Sequence, residues 1–176
     1  MINKVYIEYL LLKDDEKSFQ QVISIIQPKL LSFAQNILKD KSNAQDALQD
    51  SLIAIVKGVR RLKNHRKFHA WIYQVTRNKC FDIIRKNHKF KNECDLDSIS
   101  EPINYENMVE EKNQDNQIDM MSMINQLPHK QKTVIQLFYY DGFSILEISK
   151  ILDKPAGTIK SQLFDAREKL KHLIGE

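Results

Sequence analysis

Residues 144–170, SILEISKILDKPAGTIKSQLFDAREKL, hold two short helical patterns separated by a tight turn. Ser144 is a candidate N-cap with Glu147 three residues on, the spacing of a capping box, and Ile145, Ile148 and Leu152 follow at helical intervals. The Asp153-Lys154-Pro155 step ends that helix. The residue before a proline is pushed out of the helical region, while Pro155 suits the first turn of a new helix. The second pattern puts Ile159, Leu163, Ala166 and Leu170 on one face, and Lys160, Ser161, Phe164, Asp165 and Glu168 towards the other. Two short helices joined in this way make a helix-turn-helix, whose second helix can enter the major groove of DNA. Lys160 then offers a cation to phosphate or guanine, Ser161 a hydroxyl, and Phe164 a ring to a thymine methyl group. A helical hairpin that only packs would carry the same pattern.

Working outward, Met121, Ile124 and Leu127 begin the periodicity that leads into this motif. Pro128 then starts a helix with Val134, Ile135, Leu137 and Phe138, which Asp141-Gly142 ends. Residues 91–119 are polar, acidic and poor in periodicity, the composition of a flexible linker. They separate two helical bodies, residues 1–90 and 120–176. In the first body, Val5, Tyr9 and Leu12 share a face of a short opening helix. Phe19, Val22, Ile23 and Ile26 form a second pattern, which Pro28 is expected to interrupt before Leu30, Phe33, Ala34, Ile37 and Leu38. Ser42 and Gln45 suggest another capping box, followed by Leu48, Leu52, Ile55 and Val59 on one side. Strand signals are nearly absent and only four glycines occur, so the fold class is all-α, two small helical domains.

Charge is distributed unevenly along the chain, whose net charge is +4. Residues 1–90 carry 17 basic against 8 acidic side chains, residues 91–119 carry 2 against 9, and residues 120–176 carry 8 against 6. Two basic bodies therefore flank an acidic strap, and a basic balance favours nucleic acid as a partner, although a solvated lysine face has the same composition. Within the first body, Asp46, Gln49 and Asp50 gather on one helix side, a poor surface for DNA and a good one for a basic protein, unless it is only a solvated face. The segment that follows interleaves Arg60, Arg61, Lys63, Arg66, Lys67, Arg77, Lys79, Arg85, Lys86 and Lys89 with Phe68, Trp71, Tyr73 and Phe81. Cations along a backbone and rings for unstacked bases suit melted DNA. Part of this set must also be core, with Phe68, Ile72, Val75 and Ile83 as candidates, and a generic basic helix remains a rival.

Other classes find little support. No run approaches the roughly 18 apolar residues of a membrane span, and the charged N-terminal stretch has no small-residue cleavage site, so a cytoplasmic location is expected. Cys80 and Cys94 form no CxxC pair and are expected as free thiols. His65 and His69 share a helical spacing without a further ligand nearby, and no P-loop, carboxylate cluster or activated nucleophile emerges. The expectation is therefore no metal, no cofactor and no catalysis.

Three segments in fixed order resemble the extracytoplasmic-function sigma factors of bacterial RNA polymerase. NAQDALQDSLIAIVKGV is similar to the family's polymerase-binding helix, FHAWIYQVTRNKCFDIIRK to its F-x-A-W-L-x-x-I-A-R-N segment, and the stretch from LPHKQK to DAREKL to its terminal helix-turn-helix. The resemblance implies an alternative sigma factor that binds core polymerase, directs it to specific promoters and helps melt the minus-ten element. It assigns residues 1–90 to sigma domain two and 120–176 to sigma domain four. Asp46, Gln49 and Asp50 would meet the clamp helices of the largest subunit. Asn64, His65, Arg66, Lys67, Phe68 and His69 would form the loop that captures a flipped base, with Trp71, Arg77, Asn78, Arg85 and Lys86 along the minus-ten DNA. Thr158, Lys160, Ser161, Phe164, Asp165 and Arg167 would read the minus-thirty-five duplex, while domain four rests on the second subunit's flap. The linker would thread the RNA-exit path, and an anti-sigma factor or another recruiting partner is implied as a further partner. Gln162 and Asp165 stand where many relatives carry Arg, and Lys132 replaces the usual Arg. Recognition then loses phosphate-binding charge, although Asp165 can accept from a cytosine amine. An ordinary helix-turn-helix regulator is the competing class. It would self-associate to read a palindrome, and the Asp46 face and the Trp71 to Lys86 segment speak against it.

Overall fold

The computed structural model describes residues 7, 11, 15–62, 64–94 and 120–174, with backbone alone at 66, 89–94 and 121. Val5, Tyr9 and Leu12, Lys63, the Arg66 side chain and all but the first four linker residues lie outside the described residues. Of the opening helix only Ile7 and Leu11 are described, and both are helical and buried.

Helix α1 (Glu16–Leu38) starts at Asp15, whose carboxylate accepts the Ser18 N–H at 2.8 Å. It runs unbroken through Pro28, contrary to the expected interruption. Pro28 and Ser24, the residue whose carbonyl loses its N–H partner there, are both exposed, and the buried stripe of Val22, Ile26, Leu30 and Phe33 continues on both sides. The corner after α1 is very short. Lys39 closes the helix in the left-handed region (φ 59°), and Asp40 caps α2 (Lys41–Val59) by accepting from the Asn43 N–H. The cap is thus Asp40 rather than Ser42. A 3-10 turn (His65–Lys67) leads into α3 (Phe68–Cys94), which extends four residues past the expected boundary at 90.

The second half comprises α4 (Met120–Asn125), α5 (His129–Ile135), a π-helical turn (Gln136–Tyr140), α6 (Ile145–Leu152) and α7 (Ala156–Ile174). The π turn is set by the Asp141 N–H donating to the Gln136 carbonyl, and Gly142 at φ 68° ends it. Ser144 makes the full capping box with Glu147, and Asp153 leaves α6 in the left-handed region before α7 begins. Within α6 the fully buried residues are Ile148 and Ile151, with Ile145 and Leu152 only partly covered, a stripe rotated from the expected one. Among the described residues the fold is all helical.

Small side chains let the first three helices approach closely where Ala34, Ala44, Ala47 and Cys80 meet, all fully buried. The main core is continuous across both halves. Tyr73 of α3 packs edge-on against Phe33 and against Phe143, with ring centroids 5.0 Å apart in each case.

Candidate functional site: protein and nucleic-acid interfaces

On α2 the core positions Ala44, Ala47, Leu48, Ser51 and Ile55 turn Asp46, Gln49 and Asp50 outward together, and all three are exposed. The same face continues into Ile53 and Val56, apolar side chains that are 53% and 51% exposed. Sequence reasoning passed over this pair. Their signal was present, since both lie off the Leu48, Leu52, Ile55 stripe. A shallow cleft between α2 and α3 is lined by Asn43, Asp46, Gln49, Asp50, Ile83, Lys86 and Asn87. Lys86, expected along the minus-ten DNA, also borders this cleft beside the acidic face.

Residues 64–69 are positioned by burial of their C-terminal end. Phe68 is 1% exposed and packs tilted against Trp71, so it anchors the loop from inside the core. Asn64 and Lys67 are exposed and joined by a backbone hydrogen bond, and His65 is half-buried. Trp71 is half-buried against α2, where Gly58 leaves it room: a Cβ at that position would lie 2.8 Å from the indole ring. His69 is 7% exposed, lying between Tyr73 and Phe143 with centroids at 5.8 and 4.8 Å.

Further along α3, Arg77 lies 4.7 Å over the Phe81 ring and 3.6 Å from the Asp153 carboxylate. Asn78 is exposed beside it, and exposed Arg85 pairs with Asp82 at 3.2 Å. Lys154 sits near this group, and burial first, then the charges of Lys130 and Arg77, hold its ammonium below the usual lysine range. Burial and, second, the nearby Asp141 carboxylate push the Tyr73 phenol well above its ordinary range, so it stays neutral.

The recognition helix α7 buries Ile159, Leu163 and Ala166, which turns Lys160, Ser161, Phe164 and Asp165 to the outside. Phe164 is 62% exposed, too open for a core ring. Thr158 is half-buried and its carbonyl accepts from the Ser161 hydroxyl at 3.0 Å. Arg167 donates to the Tyr139 hydroxyl at 2.8 Å and lies over the Phe138 and Tyr139 rings, a fixed cation at the flank of the helix. Gln162 is half-buried, so its departure from the family's Arg lies towards the edge of that outer face. Among the described residues no three His, Cys, Asp or Glu side chains gather where a metal could be held, and no helix is long and apolar enough to cross a membrane.

Fold and surfaces together define a two-part all-helical protein with an exposed acidic face on α2 and an exposed polar and aromatic face on α7. Sigma-70 region 2 matches residues 22–90, and Sigma-70, region 4 matches residues 117–170. The chain is 28% identical over 173 residues to the ECF RNA polymerase sigma factor SigW of Bacillus subtilis, covering 90% of each chain. It is 26% identical over 172 residues to the ECF RNA polymerase sigma-E factor of Salmonella typhimurium, covering 92% of this chain and 89% of the relative. The Bartonella quintana sigma factor RpoE, solved in complex with the anti-sigma factor NepR, superposes with TM-score 0.62 at 25% identity over 90% of this chain and 98% of that one. CnrH, solved in complex with the cytosolic domain of CnrY, shares the fold with TM-score 0.57 at 17% identity over 98% and 96%. The chain belongs to the extracytoplasmic-function sigma factors of the sigma-70 family. It is an alternative sigma factor for promoter-specific initiation by RNA polymerase, and the separate-regulator class is not favoured.

Proposed function

We propose how the work of a sigma factor is divided over this chain. Residues 1–90 act as domain two, 91–119 as the acidic linker and 120–176 as domain four. The observation that carries this division is the separation of faces: an exposed acidic and apolar strip on α2, and an exposed polar and aromatic strip on α7, each opposite its own buried stripe. On α2, Asp46, Gln49 and Asp50 bind the clamp helices of the largest polymerase subunit, with Ile53 and Val56 supplying apolar contact at the centre of the patch. Asn64, His65, Arg66, Lys67 and His69 take a flipped minus-ten base, Trp71 backs that loop, and Arg77, Asn78 and Arg85 hold the adjoining backbone. Lys86 borders the clamp-binding cleft and serves either surface.

On α7, Lys160, Ser161, Phe164 and Asp165 meet base edges and phosphates of the minus-thirty-five duplex, with Thr158 and Arg167 at its flanks. Domain four also rests on the flap of the second large subunit. The chain works in the cytoplasm, has no catalysis of its own and needs no cofactor. The relative solved in complex with the anti-sigma factor NepR supports an anti-sigma factor as a further partner.

The test is binding of labelled full-length chain to purified bacterial core polymerase. Charge reversal of Asp46→Lys with Asp50→Lys is expected to weaken binding by at least about 30-fold, the scale of about 2 kcal/mol for interfacial charge pairs left opposed. Ser32→Lys, an exposed change on α1, should leave it unchanged. Equal loss in both, or in neither, contradicts the assignment.

A further inference from the structure

Gln162 and Asp165 leave the recognition helix with few cations on its outer side, so what holds the remaining ones decides how it grips a duplex. Lys160, Phe164 and Arg167 follow at intervals of four and three and form one exposed ridge of α7. Against the Arg167 end of that ridge, the π turn sets Phe138 and Tyr139 side by side, with ring centroids 5.0 Å apart and planes at 77°. The Arg167 guanidinium lies 5.8 Å from the Phe138 centroid and 5.7 Å from that of Tyr139, and its Nε–H donates to the Tyr139 hydroxyl at 2.8 Å. Tyr139 is 50% exposed, so the pair stands at the surface rather than in the core.

We infer that Tyr139 is a positioning residue for minus-thirty-five binding, holding Arg167 so that the two side chains grip one backbone phosphate. This rests on the assignment of α7 to that duplex above. Of the five N–H groups of a guanidinium, the bond to Tyr139 uses the one on Nε. The two Nη groups keep the planar fork that matches two phosphate oxygens. The Tyr139 hydroxyl accepts from Arg167, which leaves its own proton to donate to the same phosphate. Two rings and a hydrogen bond also fix the arginine before DNA arrives, so less rotamer freedom is lost on binding than for an unheld side chain.

Position along the helix makes the target a phosphate rather than a base edge. In a helix-turn-helix the first turns of the recognition helix reach the bases, which suits Lys160 and Ser161. Arg167 lies about 10 Å further along the axis at 1.5 Å per residue, where the helix meets the backbone instead. A neutral residue 28 positions before its cation carries no sequence sign of this role.

The experiment uses holoenzyme formed from bacterial core polymerase and the full chain, as wild type, Tyr139→Phe, Arg167→Ala and Lys160→Ala. Affinity is measured for a promoter duplex found by run-off transcription, and for copies in which one minus-thirty-five phosphate at a time is a neutral methylphosphonate. Tyr139→Phe keeps both rings against the guanidinium and removes only the hydroxyl. It is expected to weaken binding of the natural duplex about fivefold to tenfold, with thermal stability and core binding unchanged. Arg167→Ala should weaken it at least as much. One methylphosphonate position should weaken wild type about tenfold and reduce the penalty of both substitutions to under about twofold, since the partner they share has lost its charge. Lys160→Ala should keep its full penalty on that same copy. A silent Tyr139→Phe on the natural duplex overturns the inference, and so does a penalty equal on every methylphosphonate copy, which is what a merely structural hydroxyl would give. If neither Lys160→Ala nor Arg167→Ala weakens the natural duplex, the assignment of α7 fails and the inference with it. A Lys160→Ala penalty beside a silent Tyr139→Phe removes the inference alone.

Discussion

Cys80 sits where α1, α2 and α3 come closest, and its environment makes a direct test of that packing. It is fully buried beside Ala34, Ala44 and Ala47, and burial pushes its thiol up to about 12 from the ordinary 9.0. At pH 8 the thiolate fraction is then on the order of 10⁻⁴. In a Cys94→Ser variant, iodoacetamide at pH 8 should leave the native chain unmodified and label it readily in guanidinium. Rapid native labelling would show that the helices do not close over this position. The unfolded chain gives up this proton near 9 and the folded chain only near 12, so the thiol's contribution to stability is present below pH 9 and lost as pH rises towards 12. What was legible at this scale was residue chemistry: Phe164 stood out as a ring off its helix's apolar stripe, and it is exposed. What was not legible was which role a doubly qualified residue takes. Phe68 fits both a core and a base-binding loop by sequence, and only its contacts with Trp71 and the main core decide for the core.

At the scale of elements, local chemistry was readable where one residue type has one use. Ser144 and Glu147 form the capping box that their spacing predicts, with the Glu147 carboxylate accepting both the N–H and hydroxyl of Ser144 at 2.8 Å. Ser144→Ala should lower stability by about 1 kcal/mol in urea denaturation, while Ser144→Asp keeps an acceptor and loses less. A cost no larger for alanine than for aspartate would contradict the cap's contribution. Where two residues compete, the sequence was ambiguous: Asp40 and Ser42 are both capping types, and Asp40 prevails because Lys39 turns the chain within one residue of α1. Pro28 was read as a break because its missing N–H and ring usually cost a helix about 3 kcal/mol or more. The buried side chains on either side of it, Val22 and Ile26 before and Leu30 and Phe33 after, hold α1 together across it. The π turn at Gln136–Tyr140 has no local sequence signature, and it points Gln136 and Asp141 to the other half while leaving Tyr139 and Tyr140 exposed.

At the scale of the molecule, the order of three motifs and the split of charge into two basic bodies and an acidic strap were enough to read an all-helical sigma factor. The contact between the halves was not. Lys29 and Asp141 are 112 residues apart, and neither carries a local sign that it pairs with the other. The exposed strip of Ile53 and Val56 beside Asp46 and Asp50 likewise becomes a surface only once α2 has a buried side. The central claim, that this chain directs polymerase to promoters through these surfaces, is tested most directly by run-off transcription. Bacterial core polymerase would be assayed with and without the protein on a library of genomic promoters from its host. Discrete new start sites, lost with Asp46→Lys and Asp50→Lys together and kept with Ser32→Lys, are the predicted result. No new start site from a folded protein, or new starts indifferent to the charge reversal, would contradict it.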